Sequence, residues 1–506
     1  MRRTSRQEGL VHQDKVEQLR IALIGTSQTL FDQIRTMAQL MGIENMGVNP
    51  ENADVVIVQH GNEPIGKNLI HYDIAENGFY LGHRPSDFKT GLPSQIQKHG
   101  IETILAGCIL QEVLRITGCI RRMEIVKSTI QVRMRVDPSS LNLNENPLDS
   151  HQAVMDGVIQ NSRTRERVED SEHIALLIRL DEDDELVRSL LDRVDLKEHL
   201  SFEAVEPADI QLSIPIQTEI RENSHIMIAG AGALGTWAMD TIGRGLENEA
   251  FSMTIVDPDQ EVELHNLNRQ ILYSGDDLGR PKAPVAAERM QEIAPSCTAN
   301  GSSSKIGLPD LHAIFTKEED SDFSEYEDDI DLLNFEIEES LDINSTLKNS
   351  DVLISCVDNL HTRGVLSGIA AALDIPLINA GAGGFQGQLD VIPPGDLCMI
   401  CRYGEGIIHN HSVRSCQEDG EVPFGSIVTS SAIFGALQGL AAIASLGENS
   451  VNEWPRSIIW GGRGNTLTIQ HTHPPYRRSR PGPHLDHVFM ALGGSFDYST
   501  KEELDE

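Results

Sequence analysis

The chain has 506 residues, which is too long for one ordinary hydrophobic core, so two or three domains are expected. Its 77 acidic and 41 basic side chains give a formal net charge of −36. This charge argues against nucleic acid or an anionic membrane as the main partner, since both need a basic surface. We expect no membrane span and no signal peptide, because no apolar run reaches ~18 residues and no apolar region follows the basic N-terminus. Seven cysteines spread along the chain favour a reducing compartment, and hence a cytoplasmic protein.

Residues 1–135 show the alternation of strand and helix patterns that is typical of an α/β lobe. The loop after the first predicted strand begins at Gly25, and Thr26 and Gln28 replace the flexible positions of a phosphate-binding loop. We therefore expect that no phosphate can approach this backbone. The apolar patterns predict strands over 20–24, 45–48 and 53–58, a helix over 30–41 and an amphipathic helix over 105–119.

The sequence of residues 136–222 indicates less about structure and function than the segments on either side. A polar stretch rich in turn formers is followed by helical patterns of mixed charge over 151–200. We therefore expect a small helical bridge between two lobes.

The segment from residue 224 to residue 282 carries the most specific pattern in the chain. An apolar strand leads into Gly-Ala-Gly-Ala-Leu-Gly (230–235), then a predicted helix and a second strand that ends at Asp257. This is the order of a nucleotide-binding βαβ unit. Gly230 would allow the tight turn, Gly232 the approach of a phosphate, and Gly235 close packing of helix and strand. Asp257 stands about 20 residues further on, where a ribose-binding carboxylate is expected. Alone, this pattern suits NAD, FAD and S-adenosylmethionine as well as ATP.

Three further motifs follow in order. Residues 266–270 read Asn-Leu-Asn-Arg-Gln, residues 279–282 read Gly-Arg-Pro-Lys, and Asp358-Asn359 follows a predicted core strand. The set resembles the adenylation domain of the ThiF/MoeB/ubiquitin-activating enzyme superfamily, in which Asn-Leu-x-Arg-Gln, Gly-x-x-Lys and Asp-Asn occur in this order. One departure is His265, where that family usually has serine.

This resemblance implies an α/β fold with two Rossmann-like doubly wound lobes, one degenerate and one active, joined by the helical bridge. The inactive lobe would be 1–135, the bridging segment 136–222, the active adenylation domain 223–475 and a tail 476–506. The lobes would form a pseudo-dimer within the chain, and a homodimer of whole chains is a further alternative. An acidic insert at 305–350 is interpreted as a solvated loop, with a docking strip for a basic partner as the alternative.

The resemblance also implies how side chains would bind ATP and Mg²⁺. Asp257 would hold the ribose and Asp358 the Mg²⁺, while the N–H groups of the glycine loop bind phosphate. Arg6, Arg269 and Lys282 would balance the charge of the triphosphate. Arg6 lies in a segment that resembles the R-Y-S-R-Q sequence before the first strand of the superfamily, where the second arginine crosses a dimer or pseudo-dimer interface to the ATP phosphates. Whether Arg6 would act in cis or in trans stays open. The alternative is that this segment is a frayed basic terminus. The remaining candidate nucleotide-binding residues are Gly230, Gly232, Gly235, Asp259, Asn266 and Gln270.

Cys398 and Cys401 form a Cys-x-x-Cys motif where the family carries half of a structural zinc site. The second Cys-x-x-Cys of the family is missing, and His471 and His473 lie near where it would fall. A Cys₂His₂ site for Zn²⁺, an emptied site with reduced thiols, and a redox pair are the three alternatives.

Cys416 lies in a segment that resembles the loop bearing the reactive cysteine of ThiF-like enzymes. A helix is predicted over 430–446, and a thiolate near a helix N-terminus has a lowered pKa and can attack an acyl adenylate. The alternative is a buried structural thiol. The other cysteines outside the zinc motif fit this role less well, because they fall in a core strand, in the degenerate lobe or after a helix end; they are Cys108, Cys119, Cys297 and Cys356.

These motifs favour ATP-dependent adenylation of the C-terminal glycine of a ubiquitin-like β-grasp protein, followed by thioester transfer to Cys416. In the family the diglycine tail of that protein lies near the glycine-rich turn that here occupies 381–387. A conjugating-enzyme-like protein is a further candidate partner. The alternatives are a sulfur-carrier protein adenylyltransferase without an obligatory enzyme thioester, and a nucleotide-binding regulatory subunit without activity. The two-lobed layout resembles activating enzymes of bacterial ubiquitin-like conjugation systems, antiphage ones included.

Overall fold

The computed structural model describes residues 7–120, 210–307, 342–399 and 425–470 apart from short gaps, and the backbone of four strands between residues 129 and 205. Two sheets have parallel strands at their centres, and each belongs to one lobe. The expectation of a mixed α/β fold with two Rossmann-like lobes is confirmed.

Residues 7–120 form most of the first lobe. Strands β1 to β4 are parallel to their neighbours, and β5 pairs antiparallel with β4. The β3 strand is a continuous apolar run, Val-Val-Ile-Val, which is typical of a strand buried on both faces. The elements in chain order are α1 (Gln13–Gln18), β1 (Arg20–Ile24), α2 (Gln28–Met41), β2 (Asn45–Met46), a 3₁₀ turn (Pro50–Asn52), β3 (Val55–Gln59), β4 (Leu69–Ala75), β5 (Gly78–Gly82) and α3 (Gln95–Ile116).

The structure describes three short stretches of the predicted helical bridge, and these are strands. The other residues of 136–209 lie outside the described part, so helices there stay a prediction. Four strands, β6 (Thr129–Arg135), β7 (Arg165–Glu169), β8 (His173–Ile178) and β9 (Leu200–Val205), pair antiparallel in the order β7-β8-β6-β9. Each segment has only five to seven residues, and 200–205 alternates apolar and polar residues, which is a strand pattern. The next strand, β10 (Ile210–Ser213), pairs antiparallel with β5, so the first-lobe sheet has the order β10-β5-β4-β3-β1-β2 and extends past residue 135.

The second lobe carries the larger sheet. Its order is β13-β12-β11-β14-β15-β16-β17-β18, with β11 to β15 parallel to their neighbours and the last three strands antiparallel. The elements are β11 (Ser224–Ala229), α4 (Ala233–Gly245), β12 (Phe251–Val256), two 3₁₀ turns (Leu264–Asn266 and Gly275–Asp277), α5 (Lys282–Ile293), β13 (Cys297–Ser302), α6 (Ile343–Lys348), β14 (Val352–Ser355), α7 (Leu360–Ala372), β15 (Leu377–Gly383), β16 (Gln386–Ile392), α8 (Val428–Ser445), α9 (Ser450–Glu453), β17 (Ser457–Gly461) and β18 (Thr466–Gln470).

The register of the central strands brings three loops to one edge of this sheet. Ala229, at the end of β11, lies opposite Val256 of β12 on one side and Ser355 of β14 on the other. From β11 the chain continues to β12 and β13 on one side of β11, and it then returns to β14 on the other side. This reversal makes the edge the topological switch point, where doubly wound sheets bind ligands. The loops that start at Gly230, Asp257 and Cys356 therefore meet here.

A seam of three helices joins the lobes. Helix α3 of the first lobe packs against α4 and α8 of the second, and one continuous hydrophobic core runs through all three. Glycines allow this close approach, because a methyl group added to Gly107 of α3 would lie 3.0 Å from the Thr429 carbonyl oxygen of α8. Two side chains also cross the seam. His99 Nε2 lies 2.7 Å from Asp240 Oδ2, and Gln111 Nε2 donates to Thr429 Oγ1 at 3.1 Å.

The seam explains two departures from the sequence predictions. Helix α3 begins at Gln95 rather than 105 and is buried along nearly its whole length, since it is covered by its own lobe on one side and by α4 and α8 on the other. Helix α8 has 18 residues and is long and apolar enough to cross a membrane, contrary to the expectation that no apolar run reaches this length. All of it is buried inside the protein, as is common for a core helix.

Candidate nucleotide-binding and active site

The glycine loop after β11 has the geometry that its three glycines were predicted to allow. Gly230 has φ +101°, and a methyl group there would lie 2.8 Å from the Cys356 carbonyl oxygen. At Gly235, on the first turn of α4, a methyl group would lie 2.0 Å from the Gly230 carbonyl oxygen. At Gly232 no atom comes within 4 Å of that position, so this part of the loop faces open space in front of the α4 N-terminus. Such an arrangement can receive a phosphate.

Asp257 supports the glycine loop from the end of β12. The Ala231 N–H donates to Asp257 Oδ2 at 2.5 Å, and the Asp259 N–H donates to Oδ1 at 2.9 Å. Burial raises the pKa of Asp257, while Lys282 and the two backbone donors oppose the rise. Each carboxylate oxygen keeps a second lone pair, so the group can still accept a hydrogen bond from a ligand hydroxyl.

Lys282 is the first residue of α5 and is 5 % exposed. Its ammonium group forms an ion pair with the Asp259 carboxylate, and its N–H donates to the Asp259 carbonyl oxygen at 3.2 Å. These two contacts attach the start of α5 to the loop that follows β12. A buried cation therefore stands close to the glycine loop.

Arg269 lies in the segment that covers the α4 side of the site. Its guanidinium donates to the His265 carbonyl oxygen at 2.6 Å and to Asn268 Oδ1 at 3.0 Å, and its own carbonyl oxygen accepts from Trp237 Nε1 at 3.0 Å. Gln270 Oε1 and Asn268 Nδ2 are buried without a hydrogen-bond partner. Because buried polar groups normally have a hydrogen-bond partner, these two unpartnered atoms are candidates for hydrogen bonds to a ligand. Asn268 was not among the predicted site residues.

Asn266 and His265 have local partners. Asn266 Oδ1 accepts the Glu263 N–H at 2.8 Å and forms a capping box with that residue. His265, in place of the usual serine, is buried, and its Nδ1 lies 3.5 Å from Glu263 Oε2. The amide oxygen of Asn266, a predicted nucleotide-binding residue, is thus engaged in shaping the 3₁₀ turn.

Asp358 follows β14 at the same edge of the sheet, and its side chain is exposed. Asn359 caps helix α7, since its Oδ1 accepts the Thr362 N–H at 2.8 Å. The Arg363 guanidinium donates to the Val357 carbonyl oxygen at 2.8 Å, which fixes the loop that carries Asp358. An exposed carboxylate at the switch-point edge of the sheet fits Mg²⁺, which prefers one or two carboxylates and keeps several waters.

Gln438 of α8 holds the strand ends beneath this loop. Its Nε2 donates to the carbonyl oxygens of Ser355 at 2.8 Å and Ile378 at 3.3 Å, and its Oε1 accepts from Cys356 Sγ at 3.4 Å. The sequence analysis did not single out Gln438, because a glutamine in an apolar helix gives no motif. Burial raises the pKa of the Cys356 thiol to about 12, so this cysteine is not a thiolate. Burial also raises the pKa values of Cys108, Cys119 and Cys297.

Several predicted residues lie outside the part of the chain that the structure describes. They are Arg6, Cys401, Cys416, His471 and His473. Cys398 is described and buried. Within the described ranges no group of three or more His, Cys, Asp or Glu side chains could hold a metal ion.

The first lobe has a loop at the equivalent place after β1, but its own side chains fill it. Gln59 Oε1 accepts from the Thr26 N–H at 2.8 Å, where a phosphate oxygen would otherwise bind. A methyl group at Gly25 would lie 2.3 Å from the Tyr72 hydroxyl oxygen. The prediction that phosphate cannot approach this backbone therefore has a structural basis.

A doubly wound sheet with a glycine loop, a buried lysine and a carboxylate at its switch point defines a class of nucleotide-binding α/β proteins. The ThiF family model matches residues 208–457. The chain is 30 % identical over 227 residues to the sulfur carrier protein ThiS adenylyltransferase of Escherichia coli, covering 44 % of this chain and 72 % of that protein. The chain belongs to the ThiF family, and the resemblance found in the sequence is confirmed.

Other relatives match over a smaller share of their own length. The adenylyltransferase and sulfurtransferase uba4 of Emericella nidulans is 28 % identical over 259 residues, 49 % of this chain and 45 % of that protein. The SAMP-activating enzyme E1 of Haloferax volcanii is 25 % identical over 183 residues, 36 % of this chain and 54 % of that protein. The chain thus spans about half the length of these two relatives. The crystal structure of E. coli MccB with ATP aligns with a TM-score of 0.36 at 18 % identity, over 49 % of this chain and 64 % of MccB.

Proposed function

We propose that this protein is an ATP-dependent adenylyltransferase that activates the C-terminal glycine of a ubiquitin-like β-grasp protein. The observation that carries the proposal is the open glycine loop at the switch point, with the buried cations Lys282 and Arg269 around it. The relatives named as adenylyltransferases support it. The relative from E. coli is named for adenylation of a sulfur carrier protein, which supports a protein as the substrate.

In the proposed reaction the tail carboxylate attacks the α-phosphorus of ATP. A bond forms between the carboxylate oxygen and phosphorus, the bond to the bridging oxygen of the β-phosphate breaks, and pyrophosphate leaves. The N–H groups at Gly232 and the start of α4 would bind phosphate oxygens, and Asp257 would accept a ribose hydroxyl. Lys282, Arg269 and the predicted Arg6 would offset the negative charge that collects on the leaving group. Asp358 would hold Mg²⁺, which supplies further positive charge to the phosphates.

The second half of the proposal is transfer to Cys416. Its thiolate would attack the carbonyl carbon of the acyl adenylate, a carbon–sulfur bond would form, and AMP would leave with the carboxyl oxygen. The high thiol pKa values of Cys108, Cys119, Cys297 and Cys356 speak against those four as nucleophiles, which leaves Cys416 as the candidate. For Cys398 and Cys401 the three predictions stay open: a Zn²⁺ site, an emptied site with reduced thiols, and a redox pair.

The likeness to the ThiS adenylyltransferase favours a second candidate function, adenylation of a sulfur-carrier protein without an obligatory enzyme thioester. This reaction would need Asp358 and Arg269 but could dispense with Cys416. A non-enzymatic nucleotide-binding subunit would bind ATP without turning it over.

The test combines a non-reducing gel with ATP–pyrophosphate exchange. The parent, Cys416→Ala, Asp358→Ala and a control, Cys297→Ala, are mixed with ATP, Mg²⁺ and a β-grasp protein that ends in diglycine. The same β-grasp protein without its last glycine is the substrate control. We expect a thiol-sensitive adduct in the parent and in Cys297→Ala, exchange without an adduct in Cys416→Ala, and neither in Asp358→Ala.

Three other outcomes would change the conclusion. Exchange in the parent without any adduct favours the sulfur-carrier function. An adduct that survives Cys416→Ala overturns the choice of nucleophile. If the parent and the variants bind ATP but none catalyses exchange, the result favours the non-enzymatic regulatory subunit.

A further inference from the structure

Tyr273 connects the two parts of the site that face the phosphates. It lies between the Asn-Leu-Asn-Arg-Gln and Gly-Arg-Pro-Lys motifs and is 6 % exposed. Its hydroxyl oxygen lies 2.8 Å from the Ala231 carbonyl oxygen in the glycine loop and 3.2 Å from the Lys282 carbonyl oxygen at the start of α5. One O–H group thus spans two segments that are about 50 residues apart in the sequence.

The contact to Ala231 fixes the orientation of the loop backbone. The N–H of Ala231 is held by Asp257 and its C=O by Tyr273, so the peptide groups on both sides of this residue are anchored. In a trans peptide the C=O and the following N–H point in opposite directions, and the described chain has no cis peptide bonds. With the Ala231 C=O turned towards Tyr273, the Gly232 N–H is turned away from Tyr273. At Gly232 the space around an added methyl group is open, so this part of the loop has room for a ligand.

We propose that Tyr273 is a positioning residue that aims the Gly232 N–H at the phosphates of ATP and keeps the glycine loop in register with Lys282. This inference rests on the proposed function, since it presumes that ATP occupies the loop. It assigns a role to a tyrosine that lies outside the motif residues of the site.

The surroundings of Tyr273 suit such a role. Burial and the nearby carboxylates of Asp257, Asp259 and Asp277 raise the pKa of the phenol far above its usual range, so the hydroxyl keeps the proton it donates. The next residue, Ser274, donates its N–H and its hydroxyl to Asp277, each at 2.8 Å, which anchors the turn behind the ring. Tyr273 also lines a cavity of about 360 Å³ together with Gln33 and Thr36 of the first lobe.

The experiment compares Tyr273→Phe with a matched control, Tyr72→Phe, which removes a buried tyrosine hydroxyl from the first lobe. Dissociation constants of ATP with Mg²⁺ and of adenosine, which lacks phosphates, are measured by calorimetry, the second by competition. For Tyr273→Phe we expect MgATP affinity to fall about three- to tenfold, the size of one lost hydrogen bond, with adenosine affinity unchanged. Tyr72→Phe should match the parent for both ligands, and thermal midpoints confirm that all proteins are folded.

The outcomes separate this inference from the proposed function. If the parent binds MgATP and Tyr273→Phe binds it equally well, or if the variant loses MgATP and adenosine affinity to the same extent, the positioning role is overturned and the proposed function stands. If the parent does not bind MgATP at all, both fall together. A ratio of MgATP to adenosine affinity that drops only in Tyr273→Phe supports the role, because a merely destabilised fold would not be selective for the phosphates.

Discussion

At the scale of single residues, the site depends on groups that hold one another before any ligand arrives. The Ala231 peptides are fixed by Asp257 and Tyr273, and Lys282 is fixed by Asp259. Such fixed donors and charges favour binding because little reorganisation remains to be done when the ligand enters.

The variant Lys282→Ala tests whether the positive charge of Lys282 contributes to the binding of ATP. Removing the ammonium group takes away a positive charge close to the glycine loop and also the ion-pair partner of the Asp259 carboxylate, so two unfavourable effects add. We expect MgATP affinity to fall at least about tenfold, in keeping with the loss of a charge-assisted contact, while adenosine affinity changes little. Calorimetry provides both values, and Lys348→Ala, on an exposed position of α6, is the control. Equal loss of affinity for both ligands would contradict a role at the phosphates.

The variant Glu112→Gln tests how much a buried negative charge in the first lobe contributes to stability. Burial alone would raise its pKa, yet hydrogen bonds from Arg115 and His83 outweigh burial and lower the pKa to about 2. A carboxylate with a lowered pKa stabilises the folded state above its ordinary pKa of 4.5, and this stabilisation is lost as the pH falls towards about 2. We expect Glu112→Gln to lower the free energy of unfolding by roughly 2–3 kcal/mol at neutral pH.

Chemical denaturation at several pH values measures the effect of Glu112→Gln. The difference between parent and variant should shrink as the pH falls from 4.5 towards about 2. Glu44→Gln, on the surface of the first lobe, should show little difference at any pH. A difference that is independent of pH would mean that packing rather than charge is responsible.

Motifs in the sequence indicated part of this residue-level picture. The turn at Gly230, the close packing at Gly235 and the carboxylate Asp257 follow from rules of local geometry, which a sequence displays directly. Tyr273, Gln438 and Gln59 could not be found in this way, because each acts on a backbone that folding brings near from a distant part of the chain. Hydrogen bonds of this kind leave no spacing pattern.

At the scale of elements, the contacts among the three seam helices hold the two lobes together. Helix α8 packs against both α4 and α3, which also contact each other, and it approaches both through glycines. The segment 430–446 was predicted as a helix and falls almost wholly within α8, whereas α3 was predicted as a shorter, amphipathic helix over 105–119. A helix covered on all sides has no polar face, so amphipathic periodicity cannot mark its true length. The short strands at 165–169, 173–178 and 200–205 were not predicted, because such strands become recognisable only when they pair.

Gly435→Ala tests the contact between α8 and α4. The added methyl group would lie 2.5 Å from Trp237 Cβ and 2.6 Å from the Leu234 carbonyl oxygen, so the two helices must move apart. We expect a loss of about 1–3 kcal/mol in the free energy of unfolding, the usual cost of overpacking a core. Gly275→Ala, where no atom lies within 4 Å of the added group, should be near neutral. Equal stability of the two variants in thermal or chemical unfolding would show that the helices are not tightly apposed.

At the scale of the whole molecule, two lobes of similar architecture carry one open phosphate loop. Gln59 and Tyr72 fill the loop of the first lobe, whereas Gly232 faces open space in the second. The degraded loop at Gly25 and the intact glycine motif at 230–235 were sufficient to predict this asymmetry from the sequence.

The number of ATP molecules bound per chain tests this asymmetry. Calorimetry or equilibrium dialysis with MgATP should give a stoichiometry close to one. Gly235→Val should abolish binding, because even its Cβ would lie 2.0 Å from the Gly230 carbonyl oxygen. Two molecules per chain, or one that persists in Gly235→Val, would mean that the first-lobe loop opens to nucleotide.

The helical seam also bears on how the protein would behave on dilution. Contacts such as Gln111 to Thr429 join two halves of one polypeptide, so each half meets the other at an effective concentration set by the chain rather than by the solution. Specific activity carried by such a pair of lobes would not decline as the protein becomes scarce, as it would if the halves were separate subunits. A covalently tethered pair also frees each copy from the requirement of symmetry, so that one can specialise in support while the other keeps the nucleotide.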